Sequence, residues 1–173
     1  AYVGTASWAA FHVDLVGSDL RMTGEPERVP PLARVLMPDI EQHGYRAYPL
    51  VDHIADKISA TVQRYSDQER PSTRFKDLVD LVAITTEVSV AADLQMTALA
   101  SEARRRGIGM PASFDVPDRG LWERGYAAEA GRSLLLIAPT LTEALAVVRP
   151  FVDPLLAGAA IGRWDPKLGR WTA

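Results

Sequence analysis

From residue 52 onward apolar residues recur at helical spacing, and the first two helices this predicts carry charged residues between their apolar positions. In the first, Ile54, Ile58, Val62 and Tyr65 share a core-facing stripe, Asp52 after Pro49 is the expected N-cap, and Lys57 sits on the shoulder of the stripe. In the second, Ser72 is the expected N-cap, because a hydroxyl there can accept an early backbone N–H. With about 100° of rotation per residue, Phe75, Leu78, Val79 and Val82 fall on one side. Asp77, Asp80, Leu81 and Ile84 fall on the other, so the side a surface helix would give to solvent is partly apolar. Such a helix is expected to be buried on both sides.

Three further helices follow. Ser89 is the expected cap of a third, with Leu94, Thr97, Ala98 and Ser101 facing inward and Arg104, Arg105, Arg106 and Gly107 at its end. Cations in a last turn complement the helix dipole and glycine suits the C′ position, so this run reads as a helix end before it reads as an RNA-binding cluster. Pro117 at N1 is expected to open a fourth helix, reaching Ala130 and packing through Leu121, Trp122 and Tyr126. A fifth starts at Thr140 or Thr142, faces inward with Leu141, Leu145 and Val148, and is expected to be interrupted near Pro150 and Pro154.

Ahead of these helices the period changes. Residues 10–16 alternate, with Phe11, Val13 and Leu15 on one face and His12, Asp14 and Val16 on the other, which predicts a half-buried strand. Gly17, Ser18 and Asp19 form a turn, 24–31 a proline-punctuated loop, 32–37 a short strand or helix, and 45–50 another strand. At the far end, Trp164 and Trp171 interleave with Arg163, Lys167 and Arg170. Such a tail is either a hairpin folding its tryptophans back onto the body or a base-stacking, phosphate-contacting element. The fold class is α+β, with a partial sheet region over residues 1–50 and a helical region over 51–173.

Composition narrows the chemistry. The 173 residues are 47% hydrophobic and 24% charged, enough to bury a sizeable core and unlike a disordered tail. A formal net charge of −3 excludes a uniformly basic nucleic-acid binder, so any RNA contact must be local. Cysteine is absent, which removes disulfides, thiolate metal sites and cysteine nucleophiles, and His12, His43 and His53 lack zinc-ligand spacing. No run of about 18 to 20 apolar residues could cross a bilayer, and no signal-peptide pattern opens the chain. A cytoplasmic protein is the expectation.

The charges inside the two helices are the candidates for function. Asp77 and Asp80 are three apart and repel one another unless a cation lies beside them. Arg74 can reach Asp77 at i+3, and Lys76 can reach Asp80 at i+4. The ammonium of Lys57, on an apolar stem, suits a nucleotide phosphate. The structural alternative is a snorkelling Lys57 beside two intrahelical ion pairs.

With these pieces in place, the chain resembles the AbiEii/AbiGii toxins, the MenT-type nucleotidyltransferase-like toxins of bacterial toxin–antitoxin systems. The resemblance rests on Phe11-His12-Val13-Asp14-Leu15-Val16, Tyr48-Pro49-Leu50, Ile54-Ala55-Asp56-Lys57 and Arg74-Phe75-Lys76-Asp77-Leu78-Val79-Asp80-Leu81, and is good over roughly residues 1–90. It implies a partial mixed sheet of the polymerase β-type nucleotidyltransferases followed by a helical bundle. It also implies transfer of a nucleotide from NTP to an acceptor, with the tRNA 3′ end as the acceptor attributed to MenT-type members and Mg2+ or Mn2+ as cofactor. Lys57 would then contact the triphosphate, Asp77 would support the site, Arg74 and Lys76 would neutralise phosphate, and Asp80 would hold the helix. Asp14 would be the metal carboxylate. The family's Gly-Gly-Ser/Thr segment and following Asp-x-Asp pair are absent, Gly4-Thr5-Ala6-Ser7 being a poor match. The chain is therefore expected to be the C-terminal part of a longer protein, with binding retained and transfer weak or lost. Two other classes stay open: a silent helical module that binds RNA or a cognate antitoxin protein, and nucleotide transfer to a protein hydroxyl.

Overall fold

The structure, a computed structural model, describes residues 2–3, 6–7, 22–31, 43–133 and 137–173. Four short strands lead in, β1 (Tyr2–Val3), β2 (Ala6–Ser7), β3 (Glu27–Val29) and β4 (Tyr45–Ala47). Then come α1 (Leu50–Val62), β5 (Arg64–Tyr65), β6 (Arg70–Pro71), α2 (Phe75–Glu87), α3 (Ala92–Arg106), α4 (Arg119–Arg132) and α5 (Leu141–Leu156). A hairpin of β7 (Arg163–Asp165) and β8 (Arg170–Thr172) follows. The class is α+β, as expected. Among the described residues the strands pair two by two, always antiparallel: β1–β2, β3–β4, β5–β6 and β7–β8. The strand expected over 10–16, with Asp14, and the element expected over 32–37 lie outside the described residues.

The central helix is α2, which packs against α1 on one side and against α4 and α5 on the other, while α1 also packs along α3. This arrangement explains its unusual sequence. Leu78, Val79, Leu81, Val82 and Thr85 are all buried, because a helix with neighbours on several sides needs apolar residues around most of its circumference. Lys76 and Glu87 are its exposed residues, with Asp80 and Ala83 partly buried between them. At its start, Ser72 lies two residues ahead of the N-cap, Arg74, and its Oγ accepts the Arg74 N–H at 3.2 Å. The expected cap is thus displaced but still bonds the entering backbone. Buried Trp122 of α4 fixes the same point, donating its indole N–H to the Ser72 carbonyl at 2.8 Å and meeting Phe75 edge-on at 5.0 Å between centroids. Gly125 of α4 is needed there, since a Cβ would collide with the Phe75 ring.

The other boundaries move for identifiable reasons. Helix α1 begins at Leu50, so the strand expected over 45–50 is cut to β4, and Tyr65 belongs to β5. Asp52 sits in the first turn of α1, where its buried carboxylate accepts the Thr23 N–H at 2.9 and 3.0 Å and the Gly24 N–H at 2.9 Å. It caps a distant loop instead of its own helix. Ala91, not Ser89, precedes α3, because Ala92 N–H donates to the Gly162 carbonyl of the C-terminal hairpin at 2.9 Å and replaces a side-chain cap. The buried side of α3 is Gln95, Ala98, Leu99, Glu102 and Ala103, about one residue away from the expected one, and Leu94 and Thr97 are exposed. Two polar residues go inside because partners await them: Gln95 donates to the Val51 carbonyl at 3.0 Å, and Glu102 accepts from two arginines. The expected end at Gly107 is observed, with φ of 64°.

Asp118 caps α4 through the Leu121 N–H at 2.9 Å, placing Pro117 one position outside the helix. Thr140 and Glu143 form a reciprocal capping box at the start of α5. That helix continues through Pro150 and Pro154 without interruption. Each proline removes one N–H, but Phe151, Val152 and Leu155 extend the buried face of Leu141, Leu145 and Val148, so packing outweighs the lost bonds. The tail takes the hairpin reading. Trp164 is buried and donates to the Thr85 carbonyl at 2.7 Å, Trp171 donates to the Phe151 carbonyl at 3.0 Å, and both rings pack on Phe151.

Candidate functional site

Where α1, α2 and α3 meet, their charges form one continuous network. Lys57 projects from α1 onto α2, placing Nζ 2.6 Å from Asp80 Oδ2 and 3.2 Å from Asp77 Oδ1. Arg74 Nε lies 2.6 Å from Asp77 Oδ2, and Lys76 Nζ lies 2.8 Å from Asp80 Oδ1, the i+3 and i+4 pairs read from the sequence. Arg74 also approaches Asp56 of α1 at 3.9 Å, linking this group to a second one. There Arg106 of α3 pairs with Asp56, and both Arg105 and Arg106 bond Glu102 at 2.5 Å. Arg106 also donates to Gln63 Oε1 at 2.5 Å.

Depth divides the members. The side chains of Lys57 and Asp77 are each only 7% exposed, so this pair is held out of water. Arg74, Lys76 and Arg105 are 53%, 72% and 46% exposed, so three cations face solvent over a buried ionic floor. Five bases, Lys57, Arg74, Lys76, Arg105 and Arg106, stand against four carboxylates, Asp56, Asp77, Asp80 and Glu102. That excess, concentrated in the exposed members, suits an anionic ligand in a chain whose net charge is −3.

Partial burial alone would raise the Asp80 pKa, but hydrogen bonds from Lys57 and Lys76 outweigh it and hold the carboxyl below its ordinary value. Glu102 is likewise lowered, its burial outweighed by the bonds from Arg105 and Arg106. Native carboxyls with depressed pKa stay ionised while the unfolded chain takes up protons at about pH 4. Their contribution is therefore present above that pH and lost as pH falls through the native values. Asp80→Asn should be less stable than wild type in urea at pH 7, with the gap narrowing as pH falls below about 4. A gap of constant size across that range would show that the Asp80 charge is not what holds the helices together.

Tyr48 and His53 stand beside the network, in edge-on contact with centroids 6.4 Å apart. Burial and then the carboxylates of Asp52, Glu102 and Asp56 raise the Tyr48 phenol, while burial and then the Lys57 ammonium lower the His53 imidazole. Of the residues picked from the sequence, Lys57, Arg74, Lys76, Asp77 and Asp80 come together, and Asp14 lies outside the described residues. Sequence reasoning missed the roles of Asp56 and Glu102 and the return of Arg105 and Arg106 onto α1. The available signal was Glu102 at i+3 and i+4 from those arginines, the spacing of helical ion pairs.

Among the described residues no group of three or more histidines and carboxylates is placed to hold a metal ion. The chemistry of the network agrees: Asp77 is engaged by Lys57 and Arg74, and Asp80 by Lys57 and Lys76, so neither offers a free carboxylate to a cation. No helix among the described residues is long and apolar enough to cross a membrane.

No curated protein and no solved structure matches the chain. A family model described as the nucleotidyl transferase AbiEii toxin of a type IV toxin–antitoxin system matches residues 11–147. That span reaches well beyond residue 90, where the sequence resemblance fades, and takes in α1 to α4 with the entire charge network and the start of α5. With most of its length matched, the chain belongs to the AbiEii nucleotidyl transferase toxin family.

Proposed function

We propose that the chain transfers a nucleotide from an NTP to an RNA acceptor, the 3′ end of tRNA, and thereby blocks translation. The observation that carries this reading is the three exposed cations, Arg74, Lys76 and Arg105, above the buried Lys57–Asp77 pair, within a nucleotidyltransferase family. In the reaction the acceptor hydroxyl attacks the α-phosphorus and releases its proton to solvent, the new P–O bond replaces the bond to the β-phosphate, and pyrophosphate leaves. Arg74 and Lys76 offset charge on the phosphates, a role that positioned cations fill in phosphoryl transfer. Lys57, fixed between two carboxylates, has one N–H left for a phosphate oxygen. Asp77, anchored by Lys57 and Arg74, orients both cations, and Asp80 ties Lys76 to Lys57. The NTP enters as its complex with Mg2+ or Mn2+, and Asp14 is the candidate carboxylate for that ion. An antitoxin encoded with the toxin is the expected partner.

A second reading is supported by the depth of Lys57, which is 7% exposed and doubly paired. In it the network is scaffolding, and the chain binds RNA or an antitoxin without transferring anything. Incubation with total tRNA, magnesium and each labelled NTP separates the two. Label on RNA that disappears in Arg74→Ala and Lys76→Ala, and with EDTA, supports transfer. Absence of label with every NTP sinks it and leaves the binding module.

A further inference from the structure

Tyr65, expected on the core-facing stripe of the first helix, stands on the β5–β6 hairpin instead and is 38% exposed. Its direction follows from its neighbours. Gln63 is extended, and the pairing of Tyr65 with Arg70 and Arg64 with Pro71 continues back to Gln63, whose carbonyl accepts the Ser72 N–H at 3.1 Å. Side chains alternate along such a segment, so Gln63 and Tyr65 share one face and Arg64 takes the other. The hydrogen bonds agree: Gln63 Oε1 accepts from Arg106 of the charge network at 2.5 Å, whereas Arg64 Nη2 donates to the Pro117 carbonyl ahead of α4 at 2.6 Å. Tyr65 therefore belongs to the network side of the hairpin. There the Arg74 guanidinium, whose pKa its bond to Asp77 raises most, is also within the influence of Asp56 and the Tyr65 phenol.

The hairpin that carries the ring is braced. Ser66 and Glu69 have φ of 62° and 50°, a region unfavourable to residues with a Cβ. The Glu69 N–H on the Ser66 carbonyl at 3.1 Å and Arg64 Nη1 on the Glu69 carbonyl at 3.0 Å hold them there.

We propose that Tyr65 is the base platform of a nucleoside triphosphate site, its ring stacked on the base while Arg74 and Lys76 take the phosphates. This assignment deepens the NTP reading given above and rests on it. One exposed ring beside two cations, Arg74 at the N-cap of α2 and Lys76 in its first turn, suits a single nucleotide carrying several phosphates. A strand of RNA would call for rings and cations repeated along a path. Every base has a π face, so the platform raises affinity for nucleotides over bare triphosphate and does not choose among the four NTPs.

The test is equilibrium dialysis of the full chain against each labelled NTP and against labelled inorganic tripolyphosphate, with Mg2+ present and thermal melting to check the fold. Wild type should bind every NTP about tenfold or more tightly than tripolyphosphate, the scale of one base–aromatic stack. Tyr65→Leu should lose that margin while binding tripolyphosphate as wild type does, and Tyr65→Phe should keep it. Lys76→Ala should weaken both ligands alike. Tyr65-dependent NTP binding establishes the platform even where no label passes to RNA, a result that would sink transfer alone. Failure of wild type to bind NTP, equal affinity for NTP and tripolyphosphate, or unchanged NTP affinity in Tyr65→Leu overturns the platform and leaves transfer to stand or fall by its own assay. A single-stranded oligoribonucleotide whose affinity falls in Tyr65→Leu while that of every NTP stands overturns the choice of ligand.

Discussion

Replacing Lys57 with methionine is expected to destabilise the fold by about 3 kcal/mol, because it strips one partner from a buried charge pair. Asp77, 7% exposed, would keep only Arg74, and Asp80 would keep only Lys76. Adding Asp77→Asn removes the stranded charge, and the double variant should regain more than half of the loss in urea unfolding, since neutral replacements of buried ion pairs are often well tolerated. Nucleotide transfer should nonetheless fall by at least about a hundredfold in both variants, the scale seen when one positioned charge-stabilising donor is lost. The pair of readouts separates architecture from chemistry. A double variant that recovers both stability and transfer would show Lys57 to be scaffolding alone.

Trp122→Ala should cost about 4 kcal/mol, the usual scale for emptying a buried aromatic site. Its indole fills the space beside Phe75 and supplies the hydrogen bond to the Ser72 carbonyl that fixes the approach to α2. Trp122→Phe retains most of the ring contact and loses the bond, for about 1 to 2 kcal/mol. Since Arg74 and Asp77 lie in the first turn beyond Ser72, both variants should speed amide hydrogen exchange over residues 74–78 more than elsewhere in α2. Uniform acceleration along the helix would mean that Trp122 stabilises the core without any particular hold on the site.

The helical half of the molecule was legible because its periodicity is strong. Phe75, Leu78, Val79 and Val82 on one side of α2, with Leu81 and Ile84 on the other, already demanded neighbours on both sides, and α1, α4 and α5 supply them. The i+3 and i+4 pairs of Arg74 with Asp77 and Lys76 with Asp80 were equally readable, because partners within one helix are fixed by its geometry. Boundaries were less so. Asp52, Ser72 and Ser89 are all good capping residues by type, yet Asp52 caps the loop at Thr23 and Gly24, and Ala92 is capped by Gly162. Long-range backbone partners competed with local ones, and no spacing in the sequence announces them.

By itself the sequence determined the α+β class, the number and order of the principal helices, the two-sided burial of α2 and the short-range ion pairs, and it offered folding back as one of two readings of the C-terminal tryptophans. Each follows from local periodicity, turn chemistry or the need to bury large apolar rings. Only the tertiary structure decided that Lys57 reaches Asp77 and Asp80 across two helices and that Arg105 and Arg106 return to Asp56. Contacts between residues distant in the chain depend on how elements cross and in what register they pair, and periodicity within a single element carries neither.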